Sequence, residues 1–79
     1  MDIPVDSVTT LGHLIRQSRK SQGVRMDDIA GVSHVFVRDV ERGKPTAEIG
    51  RVLHLLSELG IRMHVDVPSE VAANLSTEN

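Results

Sequence analysis

Residues 26–44 read "MDDIAGVSHVFVRDVERGK", and the fold turns on how this stretch is divided. It divides as a short helix over about residues 25–30, a turn at Gly31 and Val32, and a further helix running to about Arg42. Ser33 stands where a side-chain oxygen can accept from the free amides that open a helix. Beyond it, Phe36, Val37 and Val40 fall on one face at helical spacing, and His34, Val35, Arg38 and Asp39 fall on the other. The second of the two helices is therefore expected to bury one side and present the other.

Upstream, "TTLGHLIRQSRKSQG" (residues 9–23) predicts a first helix. Thr9 or Thr10 can cap it, Leu11, Leu14, Ile15 and Ser18 share its apolar face, and Gly23 ends it. Downstream, "GKPT" breaks the chain. A fourth helix is expected over residues 47–59, capped by Thr46, with Ile49, Val52, Leu53, Leu56 and Leu59 buried and Gly60 just past its end. The period then changes. In "IRMHVDV" (residues 61–67), Ile61, Met63, Val65 and Val67 alternate with Arg62, His64 and Asp66, the pattern of a half-buried β-strand. A lone strand leaves its amides and carbonyls unpaired. Pairing with the same segment of a second chain is therefore expected, and "MDIPVD" is the competing partner within the chain. The expected fold class is mostly α: four helices and one C-terminal strand paired across a dimer. Residues 1–8 read as an extended lead-in, 9–67 as the folded domain and 68–79 as a flexible tail, polar and weakly periodic.

Composition narrows the functions. Seventy-nine residues make one small domain. There is no cysteine, which excludes disulfides and thiolate metal sites and fits a reducing cytoplasm. No membrane span or signal peptide is expected, since apolar runs are short and the N-terminus is acidic. Phe36 is the single aromatic residue, too few for a platform that stacks single-stranded nucleic acid. The net charge of −2 conceals a gradient. Residues 11–44 carry seven bases (Arg16, Arg19, Lys20, Arg25, Arg38, Arg42, Lys44) against four acids, a local +3, while residues 1–10 carry −2 and residues 45–79 carry −3. A phosphate senses the local charge. His13, His34, His54 and His64 lack metal-ligand spacing, and His54 with Glu58 supplies two ligands where zinc takes four. No metal, cofactor or catalytic constellation is expected.

The segments "IRQSRKSQGV", "DDIAGVS", "DVERGKPT" and "VLHLLSELGIRMHV" together resemble the Cro/repressor-like (XRE) helix-turn-helix superfamily, and within it the HipB-type antitoxins. The likeness covers roughly residues 11–67. It rests on Arg16-x-x-Arg19, on the Glu41–Lys44 ending of the motif, and on the Leu-Gly before an alternating strand at Leu59–Val67. The resemblance implies a homodimer that represses its own operon and neutralises a HipA-like kinase toxin. It also implies that Arg19 and Glu41 form a structural ion pair joining the first helix to the third. Counts from the two ends of the motif differ by three residues, as if nearly one turn had been deleted from the second helix. Met26 occupies a position where relatives often carry a phosphate-binding Gln, and Arg25 can take over that contact.

On that basis Ser33, His34, Val35 and Arg38 are the candidates to read base edges of double-stranded DNA at an inverted-repeat operator. Arg25, Arg42 and Lys44, with Lys20, are the candidates to hold phosphates. Asp39, on the same face, opposes them. The alternative function is a protein-interaction module that binds a toxin or other partner without reading DNA.

Overall fold

The computed structural model describes residues 1–78. Its four α-helices are α1 (Val8–Ser21), α2 (His34–Glu41), α3 (Ile49–Glu58) and α4 (Ser69–Glu78), with a three-residue 3-10 turn, Met26–Asp28, between α1 and α2. Ile15 from α1, Ile29, Val37 and Val40 from α2, and Val52, Leu55, Leu56 and Leu59 around α3 form one buried core.

Local chemistry fixes where the elements start. Ser7 caps α1, its hydroxyl accepting from the Thr10 amide at 3.1 Å; the cap thus lies two residues before the expected Thr9. Ser33 caps α2 as expected, accepting from the Phe36 amide at 3.1 Å. α3 opens at Glu48 with no side-chain cap, where Thr46 was expected. The buried stripe of α3 runs through Val52, Leu55, Leu56 and Leu59, while Ile49 and Leu53 are exposed. At about 100° per residue, Val52, Leu55, Leu56 and Leu59 span an arc of about 100°, and Leu53 lies about 60° beyond its edge at Leu56.

The expected second helix contracts to the 3-10 turn. Asp28 donates to the Arg25 carbonyl at 3.0 Å, and Ile29 leaves in an extended conformation. Ile29, just past this element, is buried in the core, and Met26 within it packs against the core from its edge. Three residues cannot form a run of i to i−4 bonds, so tertiary contacts must hold the segment in place.

The expected strand requires correction. Among the described residues there is no β-strand. Residues 61–67 have no regular secondary structure and no ladder to the lead-in or to any other described segment. Ile61 turns back onto the core and Val67 is half-buried, but Met63 and Val65 are exposed, Val65 at 79%. Alternation specifies that a strand would have two faces; it does not supply the neighbouring backbone that makes one. In the single chain nothing occupies that place. Residues 1–5 and 61–66 instead flank an open groove of ≈ 850 Å³, floored by Leu11, Leu14 and Leu56.

The segment after Pro68, expected to be a mobile tail, carries α4. The Pro68 carbonyl accepts from the Val71 and Ala72 amides at 3.0 and 3.2 Å, which starts the helix. Residues 69–76 of α4 are all exposed and add nothing to the core. Asn79, the last residue of the expected tail, lies outside the described residues. No helix among those described is long and apolar enough to cross a membrane.

Candidate nucleic-acid interface

α2 divides as its sequence pattern dictates. Val37 and Val40 are buried and Phe36 packs against the core from its edge. Ser33 and His34 are exposed at its N-terminus, Val35 is 41% exposed, and Arg38 and Asp39 are half-exposed one turn on. A helix N-terminus whose first side chains are free of the core can approach a ligand end-on. Arg25 is exposed at the entrance to the 3-10 turn; Arg42 and Lys44 are exposed just past the C-terminal end of α2, and Lys20 near the end of α1.

Charge on this face is partly self-paired. Asp39 lies 3.5 Å from the Arg38 guanidinium and 3.7 Å from the Lys44 ammonium. The chain turns at Arg42 and Gly43, and the Lys44 amide donates to the Asp39 carbonyl at 3.0 Å, which brings the two side chains together. His34 Nδ1 lies 3.5 Å from an Asp27 carboxylate oxygen across the turn, both side chains exposed. The Nε of Arg38 is buried with no hydrogen-bond partner among the described residues. Contacts of 3.5–3.7 Å in solvent are weak and exchange readily for others.

Beneath this face lies a much stronger pair. Arg19 donates from Nε to Glu41 Oε2 at 2.6 Å and from Nη2 to Oε1 at 3.1 Å, a two-pronged contact with side-chain exposures of 11% and 4%. Arg19 Nη1 donates to the Val24 carbonyl at 3.1 Å. One guanidinium therefore ties the end of α1, the exit past Gly23 and the last turn of α2. The hydrogen bond to Glu41 raises the Arg19 pKa, burial opposes the rise, and the Glu41 charge adds to it. Arg19 therefore remains cationic.

Two further residues make contacts beneath this face that the sequence does not mark: Gly12, and His54, which the sequence offers only beside Glu58. Gly12 faces the C-terminal end of α2 so closely that a Cβ there would lie 2.5 Å from the Val40 carbonyl oxygen and 2.7 Å from that of Glu41. An isolated glycine inside a helical pattern was the available signal. His54, on α3, reaches the turn and meets the Ala30 carbonyl at 2.7 Å. Nothing in the spacing of α3 marks that contact, because it joins residues 24 apart. Among the described residues no three His, Asp or Glu side chains come together as a metal site.

The arrangement is that of a helix-turn-helix: a core-anchored α1, a short scaffold element, a glycine turn, and an α2 with its N-terminal face in solvent. A curated relative, the uncharacterized HTH-type transcriptional regulator y4mF of Sinorhizobium fredii (strain NBRC 101917 / NGR234), is 46% identical over 63 residues, covering 76% of this chain and 83% of its own. The chain belongs to the HTH-type transcriptional regulators. No family model matches it. Among solved structures, a chain of the HipA-HipB-O2-O3 complex superposes with a TM-score of 0.77 at 16% identity, over 84% of this regulator and 97% of that chain. That likeness establishes a shared fold. In this regulator the element before α2 is a three-residue 3-10 turn.

Proposed function

We propose that this regulator is a sequence-specific DNA-binding repressor that is also the antitoxin of a HipA-like kinase toxin, repressing its own operon in the cytoplasm. One observation carries the reading: the N-terminal face of α2 (Ser33, His34, Val35, Arg38) is left in solvent by a helix whose other face is locked into the core. Arg38 is the base reader, suited to guanine O6 and N7. Arg25, Arg42 and Lys44 hold phosphates. The fold shared with a chain of the HipA-HipB-O2-O3 complex supports the antitoxin part. No cofactor or metal enters the mechanism.

The test is titration of a duplex enriched by the protein from a random pool, beside an unselected duplex, at two salt concentrations. Arg38→Ala costs about 1–3 kcal/mol on the selected duplex and relaxes one position per half-site. Lys44→Ala weakens both duplexes alike and lowers the salt slope by about 1. Equal binding of both duplexes by the wild type, with no effect of Arg38→Ala, removes DNA reading. The second reading, a module that binds the toxin alone, would then stand. It draws on the Asp39 carboxylate, which occupies Arg38 and Lys44 within the protein.

The working unit is a homodimer on an inverted repeat. Beyond Ile61, whose amide donates to the Leu56 carbonyl at 2.9 Å, residues 62–67 form no backbone ladder and carry the exposed side chains of Met63 and Val65. Two copies meeting about a two-fold axis satisfy both edges and cover the adjoining groove. Sedimentation at micromolar concentration should give twice the 8.7 kDa of one chain; a mass of 8.7 kDa would contradict the pairing.

A further inference from the structure

The shortened scaffold raises a mechanical question. Something must fix the turn from which α2 starts, because the 3-10 element before it is too short to be rigid by itself. Ile29 and Val32, on either side of Ala30 and Gly31, pack on the core, and α3 adds a contact to the turn itself. His54 Nε2 lies 2.7 Å from the Ala30 carbonyl oxygen. The same nitrogen rests against Gly31, where a Cβ would lie only 2.5 Å away. Gly31 has φ +83°, a conformation that glycine adopts without cost. The turn and the ring are thus matched twice, by a hydrogen bond and by the absence of a side chain.

The other end of the clamp is firm. Leu55 and Leu56, which follow His54, are 0% and 2% exposed, and Val52 precedes it in the core. Ala30 lies three residues before Ser33, the cap that opens α2. Fixing the Ala30 carbonyl therefore fixes where α2 begins and how it tilts from the body. The carbonyl can only accept, so Nε2 carries the proton. Neutral imidazole with the proton on Nε2 and imidazolium both donate there. The Glu58 carboxylate lies 3.7 Å from the same nitrogen, one turn along α3.

We propose that His54 is a positioning residue that does the work of the missing scaffold turn, clamping the Ala30–Gly31 turn onto α3 and setting the presentation of α2. The clamp stands on geometry alone; its consequence for DNA rests on the reading proposed above.

The experiment uses the full chain as wild type, His54→Ala and His54→Gln, the last retaining a side-chain donor of similar reach. Amide exchange is followed across the protein, and affinity is measured for the selected and unselected duplexes. His54→Ala should speed exchange at Phe36 and Val37, whose amides donate to Ser33 at the exit of the turn, by about three- to tenfold, the scale of one lost hydrogen bond. Exchange at Ile15 and Leu55 should not change. Affinity for the selected duplex should fall by a similar factor, with the unselected duplex and the salt slope unaffected, and His54→Gln should restore most of both. Unchanged exchange at the turn, or a uniform rise across the chain, overturns the clamp. A local rise at the turn with no discrimination by the wild type upholds the clamp and overturns the DNA reading instead.

Discussion

Arg19→Ala should lower the unfolding free energy by about 3–5 kcal/mol, the cost of removing one member of a buried ion pair. The cost arises on the partner. Glu41 is 4% exposed in its side chain and takes both its close contacts from Arg19. Without the guanidinium its charge stays buried, or the end of α2 must open to hydrate it. The Val24 carbonyl loses its donor as well. A chain of this size has on the order of 4–12 kcal/mol in total, so the variant should be close to unfolding at ambient temperature. At about 4–8 °C per kcal/mol for a small domain, the melting temperature should fall by more than about 10 °C. Surface pairs give the contrast: Arg51→Ala, which breaks the exposed contact with Glu48 at 3.1 Å, should cost at most about 1 kcal/mol. An Arg19→Ala melting temperature within a degree of wild type would refute the account of the pair.

Gly12→Ala should destabilise by about 1–3 kcal/mol or more, against the usual sign for glycine in a helix. Helical propensity alone favours alanine by about 1 kcal/mol. The opposing effect is steric. The new methyl carbon would meet the Val40 and Glu41 carbonyl oxygens at 2.5 and 2.7 Å and the Glu41 carbonyl carbon at 2.9 Å. These are backbone atoms and cannot rotate away, so the end of α2 must shift from α1, as overpacked sites do. That shift pulls on the Arg19–Glu41 contact and alters the angle of the face carrying Arg38. Gly50→Ala in α3 is the control. A Cβ there meets only the flexible Glu48 carboxylate at 3.0 Å, and the variant should gain up to about 1 kcal/mol. Paired urea titrations should give opposite signs. Two stabilised variants would show that α1 and α2 are not in close contact at Gly12.

What the sequence revealed follows the range of the interaction. Ser33 as a cap, Gly31 as a turn and the Val37/Val40 face depend on residues within one or two turns, and all three were legible. The Arg19–Glu41 pair joins residues 22 apart and came from the family resemblance; no local pattern marks it. Val52, Leu56 and Leu59 are buried on α3 as the spacing predicts, but Leu55 takes the place expected of Leu53 and Ile49 is exposed, because Leu53 and Leu55 are equally apolar and only the direction of the core separates them. Residues 61–67 show the reverse error. Their alternation is real, but pairing depends on a second backbone, and the single chain supplies none. α4 forms from local helix-compatible residues after Pro68 where weak periodicity suggested none. On the outer face of α2, Ser33, His34 and Val35 are exposed as expected and Arg38 is half-exposed, while Gly12 and His54 act through contacts between residues far apart in the sequence.

Hydroxyl-radical footprinting of the wild-type protein on the selected duplex tests the central claim, that a helix-turn-helix with a single 3-10 turn for a scaffold still reads DNA as a two-fold pair. The account predicts two protected patches whose centres lie about 34 Å, or about 10 base pairs, apart. They should be symmetric about the centre of the inverted repeat and absent from an unselected duplex at the same protein concentration. Weak, even protection along both duplexes, or none, would contradict it.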